Sequence, residues 1–136
     1  MRVIVVHTMD IKCAICAVTL LLAACVEDSV TLDNSLVYAN REVRQCESDG
    51  VSPEESAQIL INAGIDVINS TCGIRTGVEY PAVCGRGTVD ILVHEIRSVN
   101  LSDAEQLGFQ EISTLIDAAV GTSYELVDCA DRFTSG

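Results

Sequence analysis

The stretch TVDILVHEI, Thr88–Ile96, is the most strand-like segment of the chain. It is rich in β-branched residues, which favour extended structure. Because side chains alternate along a strand, one face would carry Val89, Ile91, Val93 and Glu95, and the other Asp90, Leu92, His94 and Ile96. Neither set is purely polar, so both faces would be covered. The stretch therefore predicts a central strand.

A helix is predicted over about 52–63. Ser52 is a good N-cap, Pro53 suits the first helical position, and Glu55 completes a capping box. An apolar stripe follows at helical spacing, and Gly64 is placed to end the helix. The acidic pair Glu54 and Glu55 lies at the positive end of the helix dipole, which explains it better than a catalytic role does.

Weaker patterns complete the domain. Strands are predicted over 36–43, 65–68 and 124–129, and a short helix is predicted before Gly108. Residues 112–120, ISTLIDAAV, fit a helix or a strand equally. Together these patterns predict one small α+β domain over 36–136, with three to four strands, one well-defined helix and one or two short ones. A right-handed βαβ unit built from the first two strands would gather the cysteines at one pole of the sheet.

Residues 13–24 form an uncharged, largely apolar stretch of twelve residues. A transmembrane helix needs about 20 apolar residues, whereas a secretory h-region needs about 7–15. Arg2 and Lys12 supply the positive charge that precedes such a region. Met9 is an alternative start that would leave a compact n-region. The competing interpretation is a buried N-terminal strand and helix, but the stretch is apolar on every side.

The four residues Leu22-Ala23-Ala24-Cys25 close this stretch and resemble the lipobox of bacterial lipoproteins. The resemblance implies a signal peptide over 1–24, a diacylglycerol on the Cys25 thiol and cleavage just before it. Residues 25–35 would then be the lipidated cysteine and a short acidic tether. In that class Val26 permits transfer to the outer membrane, so the resemblance implies an anchor there, facing the periplasm, rather than in the inner membrane.

The charge of the mature chain limits its partners. After cleavage six arginines oppose nineteen acidic residues, a net charge of 6 − 19 = −13. Such a surface repels phosphate backbones and anionic lipid headgroups. Nucleic acid is therefore excluded as a partner, and the acyl group on Cys25 would be the contact with the membrane.

Cysteine usage agrees with export. Cys13 and Cys16 would leave with the signal peptide, although their spacing is that of a redox motif. The domain keeps four cysteines: Cys46, Cys72, Cys84 and Cys129. An even number in a small exported domain predicts two disulfides, with three connectivities open. A four-cysteine zinc site usually has close pairs, which this domain lacks, so neither metal nor cofactor is predicted.

Three residues are candidates for binding a ligand. Arg75 and Arg86 lie in the glycine-rich segment 72–87, where two arginines could hold a carboxylate or a phosphate. His94 is the only histidine after residue 25 and is a candidate general base. The alternatives are structural: a loop whose arginines pair with local acids, and a half-buried strand histidine bonded to a neighbour.

The function predicted from these features is that of a cell-envelope lipoprotein acting as a binding or structural module. The sequence shows no nucleophile beside a base, so an enzyme is disfavoured. Its partner would be an envelope protein or the cell wall. The alternative is a small-ligand (anion) binder or an enzyme that uses Arg75, Arg86 and His94.

Overall fold

A computed structural model describes residues 33–130. The leader 1–24, the lipobox, Cys25 and most of the predicted tether lie outside these residues. The elements of the domain are β1 (Asn34–Asn40), α1 (Pro53–Asn62), β2 (Val67–Thr76), β3 (Asp90–Arg97), α2 (Leu101–Gln106), β4 (Gln110–Glu111) and β5 (Ser123–Val127), with 3-10 turns over Ser98–Asn100 and Ile112–Leu115.

The five strands form one sheet in the order β4-β1-β3-β2-β5, and every neighbouring pair is antiparallel. β3 is central, as its sequence predicts, and none of its residues is exposed. The α+β class is confirmed, but the sheet has five strands rather than three to four. The additional strand is β4, whose two residues pair with Val37 and Tyr38. Two residues are too few to show a periodic pattern.

The predicted βαβ unit differs from the observed topology. β1 and β2 run in the same direction, but β3 lies between them and is antiparallel to both. β5 is antiparallel to β2, not parallel as the clustering of cysteines required. Cys46 and Cys84 pair in the loops, whereas Cys72 lies within β2 and pairs with Cys129. Both disulfides are therefore present, but they do not meet at one pole.

The second strand is longer than predicted. β2 runs through Cys72, Gly73 and Arg75, which the sequence analysis placed in the glycine-rich segment 72–87. Gly73 serves close packing rather than a turn: a Cβ there would lie 3.1 Å from the Glu125 carbonyl oxygen and 3.1 Å from Ile91 Cγ1. A glycine in a strand often marks such a close approach.

The predicted helix is confirmed in detail. The Glu55 N–H donates to Ser52 Oγ at 3.2 Å, and the Ser52 N–H donates to Glu55 Oε2 at 3.0 Å. These bonds to Ser52, the backbone one first, lower the pKa of the Glu55 carboxyl. Gly64 follows the helix with φ of 83°, a value that favours glycine. The capping box therefore forms as its spacing predicts.

The C-terminal elements follow the sequence less closely. The short helix α2 is present, but the Asn100 side chain makes no capping bond. The ambiguous segment 112–120 is neither a regular helix nor a strand: it is a 3-10 turn followed by tight turns. Ile112 and Leu115 are buried there, because the turn packs on the sheet.

Two apolar clusters cover the two faces of the sheet. The helix face, beneath α1 and α2, buries Val37, Leu60, Ile65, Ile96, Ala104 and Phe109. The turn face, beneath the 3-10 turn of 112–115, buries Tyr38, Ile91, Val93, Ile112 and Leu115. β3 contributes to both clusters, which explains why both of its alternating faces are apolar.

Candidate functional site

A buried polar cluster lies on the helix face around His94, which is 0% exposed. Its Nδ1 is 2.8 Å from Ser70 Oγ on β2, and its Nε2 is 2.9 Å from Ser56 Oγ on α1. The ring of Phe109 packs against the imidazole edge-on, with centroids 5.7 Å apart. Both ring nitrogens therefore have a hydroxyl partner.

Strand register and helix phase bring these residues together. Ser70 is directly opposite His94 in the antiparallel β2–β3 pair, so both side chains lie on the same face. Ser56 lies on the buried stripe of α1, with Ala57 and Leu60. Neither serine is a neighbour of His94 in the chain. The sequence analysis missed both, because their proximity depends on pairing across 24 and 38 residues.

Burial lowers the pKa of His94 to about 4. Desolvation disfavours the charged imidazolium, and the partners are hydroxyls that carry no compensating negative charge. At neutral pH the ring is therefore uncharged. One nitrogen donates to a serine and the other accepts from the second serine, which satisfies the buried ring.

The cluster has the contacts of a catalytic serine–histidine pair, but the second ring nitrogen of His94 contacts a hydroxyl rather than a carboxylate. The sequence predicted that no nucleophile lies beside a base, yet the fold places Ser70 Oγ within hydrogen-bond distance of His94. In a catalytic triad the other ring nitrogen is held by a carboxylate, which stabilises the imidazolium formed during reaction. Here Ser56 takes that position. The arrangement disfavours general-base chemistry and serves to satisfy polar groups in the core.

The three predicted ligand residues do not converge. Arg75 is opposite Tyr124 in the β2–β5 pair and lies five residues after Ser70 on β2, so it projects from the turn face. His94 projects from the helix face, and the sheet lies between them. Arg86 belongs to the β2–β3 loop, where its carbonyl accepts from the Gln45 N–H at 3.0 Å. The structure therefore does not bring Arg75 and His94 together.

A cavity of about 540 Å³ opens beside Ser70. Its walls are Thr71 and Ser70 of β2, the start of α1, and the end of β5 with the residues that follow it. Glu54 and Asp128 are the charged residues that line it, and both are exposed. The cavity is therefore acidic and shallow, and it favours a basic group over the anion that the sequence analysis considered.

A second cavity, of about 610 Å³, lies between the 41–49 loop and the start of β3. Arg41 and Asp90 line it, and both are buried. The Arg41 N–H donates to the Asp90 carbonyl at 3.1 Å, and its Nε donates to the Val51 carbonyl at 3.4 Å. The sequence analysis missed this buried arginine, because a single charge after a strand has no pattern that predicts burial.

Within residues 33–130, no three side chains of histidine, cysteine, aspartate or glutamate are grouped to hold a metal ion. In the same range, no helix combines the length and the apolar character needed to cross a bilayer. Comparisons with protein-family models, with curated proteins and with solved structures find no match to this chain.

Proposed function

We propose that this chain is a cell-envelope lipoprotein whose domain acts as a non-enzymatic binding module. Cys25 carries the acyl anchor at the start of the acidic tether predicted over 25–35, and the domain faces the periplasm from the outer membrane. The partner is an envelope protein or a component of the cell wall.

The observation that carries this proposal is the pairing of all four cysteines of the domain in disulfides. Disulfides persist in oxidising compartments such as the periplasm and are rare in the cytosol. A domain of about 100 residues gains stability from them, because cross-links of 38 and 57 residues restrict the unfolded chain. The lipobox-like residues 22–25 supply the route to that compartment.

A non-enzymatic role is supported by the cluster around His94. The only histidine in the part of the chain that the structure describes is buried, uncharged and held by two serines. Its lowered pKa opposes the imidazolium that acyl transfer requires. Because this cluster does not support catalysis, we infer that the domain acts by binding a partner through its surface.

The test is the intact mass of the full chain recovered from a bacterial membrane fraction, with and without reduction and alkylation. We expect a mass that fits cleavage before Cys25 and acylation of that residue. Four further cysteines should react with the alkylating agent only after reduction. An uncleaved chain with free thiols would overturn the proposal and favour a metal-binding or redox role for the cysteines instead.

Matched variants make the test specific. Cys25→Ser removes the acceptor thiol and should leave an unacylated precursor. Cys16→Ser makes the same chemical change within the predicted leader and should be processed like the wild type. If both variants lose acylation equally, the assignment of Cys25 is wrong.

A further inference from the structure

The two edges of the sheet end in strands of different length. β4 closes one edge with two residues, whereas β5 closes the other with five. Among residues 33–130, no strand pairs with the outer side of β5. Natural sheets protect long edges with proline, lysine, a bulge or a covering segment. Ser123–Val127 contains neither proline nor lysine, and Glu125 is its one charged residue.

The backbone groups that face outward on β5 can be assigned. The Glu125 carbonyl lies against Gly73, and the Val127 carbonyl accepts a 3.5 Å bond from Thr71 Oγ1, so both carbonyls point toward β2. In an antiparallel pair alternate residues point their N–H and C=O to opposite sides. The N–H and C=O of Tyr124 and Leu126 therefore point away from β2, in the positions that a further strand would use.

Side chains near this edge define its chemistry. Leu126 is 53% exposed, and its cross-strand partner is Gly73, which has no side chain to cover it. Glu125 and Asp128 are exposed on and just after the strand. Asp128 and Glu54 both line the cavity of about 540 Å³. The edge thus combines an apolar contact, outward backbone groups and three carboxylates.

We propose that the outer edge of β5 binds an extended, basic segment of a partner protein, which joins the sheet as a sixth strand. Main-chain hydrogen bonds to Tyr124 and Leu126 would supply affinity, as in other cases of strand addition. An apolar side chain of the segment would pack on Leu126. Its lysine or arginine side chains would reach Glu125, Asp128 and Glu54.

The negative charge of the β5 edge favours a basic segment as its binding partner over a second copy of the chain. Two copies paired through β5 would bring Glu125 and Asp128 of one copy near those of the other, and each full chain carries a net charge of −12. Like charges directly opposed across strands are destabilising. A basic segment removes this repulsion and gains attraction instead. The inference rests on the proposed function only in treating the domain as a binding module.

The test uses the full chain with its disulfides intact, in detergent, and a fluorescent peptide of four Lys-Val repeats. We expect binding that weakens as salt is added, since exposed charges are screened. The control peptide has D-valine at each valine position, so it keeps the charge but loses the alternation of lysine and valine between the two faces of an extended strand. It should bind about tenfold more weakly, the equivalent of one or two lost hydrogen bonds.

Two sets of variants separate the backbone from the charge. Leu126→Ala removes the apolar contact alone, whereas Leu126→Pro also removes an outward N–H and should weaken binding of the Lys-Val peptide about tenfold further. Glu125→Gln with Asp128→Asn leaves the backbone intact and should weaken binding and its salt dependence. Asp103→Asn with Glu105→Gln changes the same charge on α2 and should have no effect.

Equal binding of the two peptides would overturn the inference, and so would equal loss in the two charge variants or dimers formed through β5. If the chain is not acylated but binds the Lys-Val peptide selectively, the lipid anchor on Cys25 is refuted and strand binding at β5 is supported. If the chain is acylated but binds both peptides equally, strand binding at β5 is refuted and the lipid anchor is supported.

Discussion

The two faces of the sheet solve the same packing problem with different chemistry. The helix face places a histidine and two serines among its apolar side chains, whereas the turn face buries Ile91 and Val93 beneath Ile112 and Leu115. Both contain fully buried residues of β3. The difference teaches that β3 contributes a buried, hydrogen-bonded histidine to one core and only aliphatic side chains to the other.

The largest effect is expected on the turn face. Ile91→Ala removes a side chain that is 0% exposed and should lower the free energy of unfolding by about 2–5 kcal/mol, through lost burial and the cavity left behind. Denaturant unfolding of the oxidised chain measures this. The loss should be equal at pH 7 and pH 5, since no titrating group is involved. Val99→Ala, at a residue 85% exposed, is the control and should change little.

The second-largest effect is expected on the helix face, where lowering the pH should lower the free energy of unfolding. The pKa of His94 is lowered from 6.5 to about 4 by burial, so the unfolded chain takes up a proton before the folded one as the pH falls. The neutral form therefore contributes stability that is complete above pH 6.5 and lost by pH 4. The loss amounts to about 3 kcal/mol.

The histidine contribution is isolated by comparison with His94→Gln, which does not titrate but keeps a donor and an acceptor. Carboxylates such as Glu55 titrate in both proteins and cancel in the difference between them. Stability measured from pH 7 to pH 4 should fall more steeply for the wild type. Parallel profiles would show that the histidine is not buried as a neutral ring.

The serine partners of His94 should contribute unequally. Ser56 is 3% exposed, so Ser56→Ala strands a buried ring nitrogen and should cost about 1–3 kcal/mol. Ser70 is half-buried beside the cavity, where water can replace its hydroxyl, so Ser70→Ala should cost less. Thermal unfolding of the two variants compares them. A larger loss of stability for Ser70→Ala than for Ser56→Ala would show that the Ser70 contact, not the Ser56 contact, is the one protected from water.

The smallest effect concerns the helix that covers the helix face. Ser52→Ala removes the capping box of α1 and should cost about 1 kcal/mol. Asn100→Ala is the matched control, because the Asn100 side chain makes no capping bond to α2. Denaturation midpoints at constant pH should shift for the first variant and not for the second.

Prediction from sequence succeeded where the signal was local. The capping box at Ser52 and Glu55, the β-branched run of β3 and the final strand are all contained in a few consecutive residues. It failed where the outcome depends on a distant partner. β4 exists only because β1 is beside it, and β2 continues through Gly73 because β5 and Ile91 approach closely there.

The candidate site follows the same division. Arg75, Arg86 and His94 were grouped by residue type and by proximity in the chain, but alternation along β2 and β3 puts Arg75 and His94 on opposite faces. The serines that do contact His94 lie in different elements, one of them in the capped helix. Residue type alone indicated which side chains could be functional, but it did not indicate which of them are in contact in the folded domain.

By itself, the sequence determined where α1 begins and ends, that the central strand lies within the region of Thr88–Ile96, that the domain holds four cysteines for two disulfides, and that the chain is strongly acidic. The tertiary structure alone decided the order of the strands, the disulfide pairing, the burial of Arg41 and the partners of His94. The reason is that capping and periodicity act within a few residues, whereas strand register selects one of many long-range pairings by the burial it achieves.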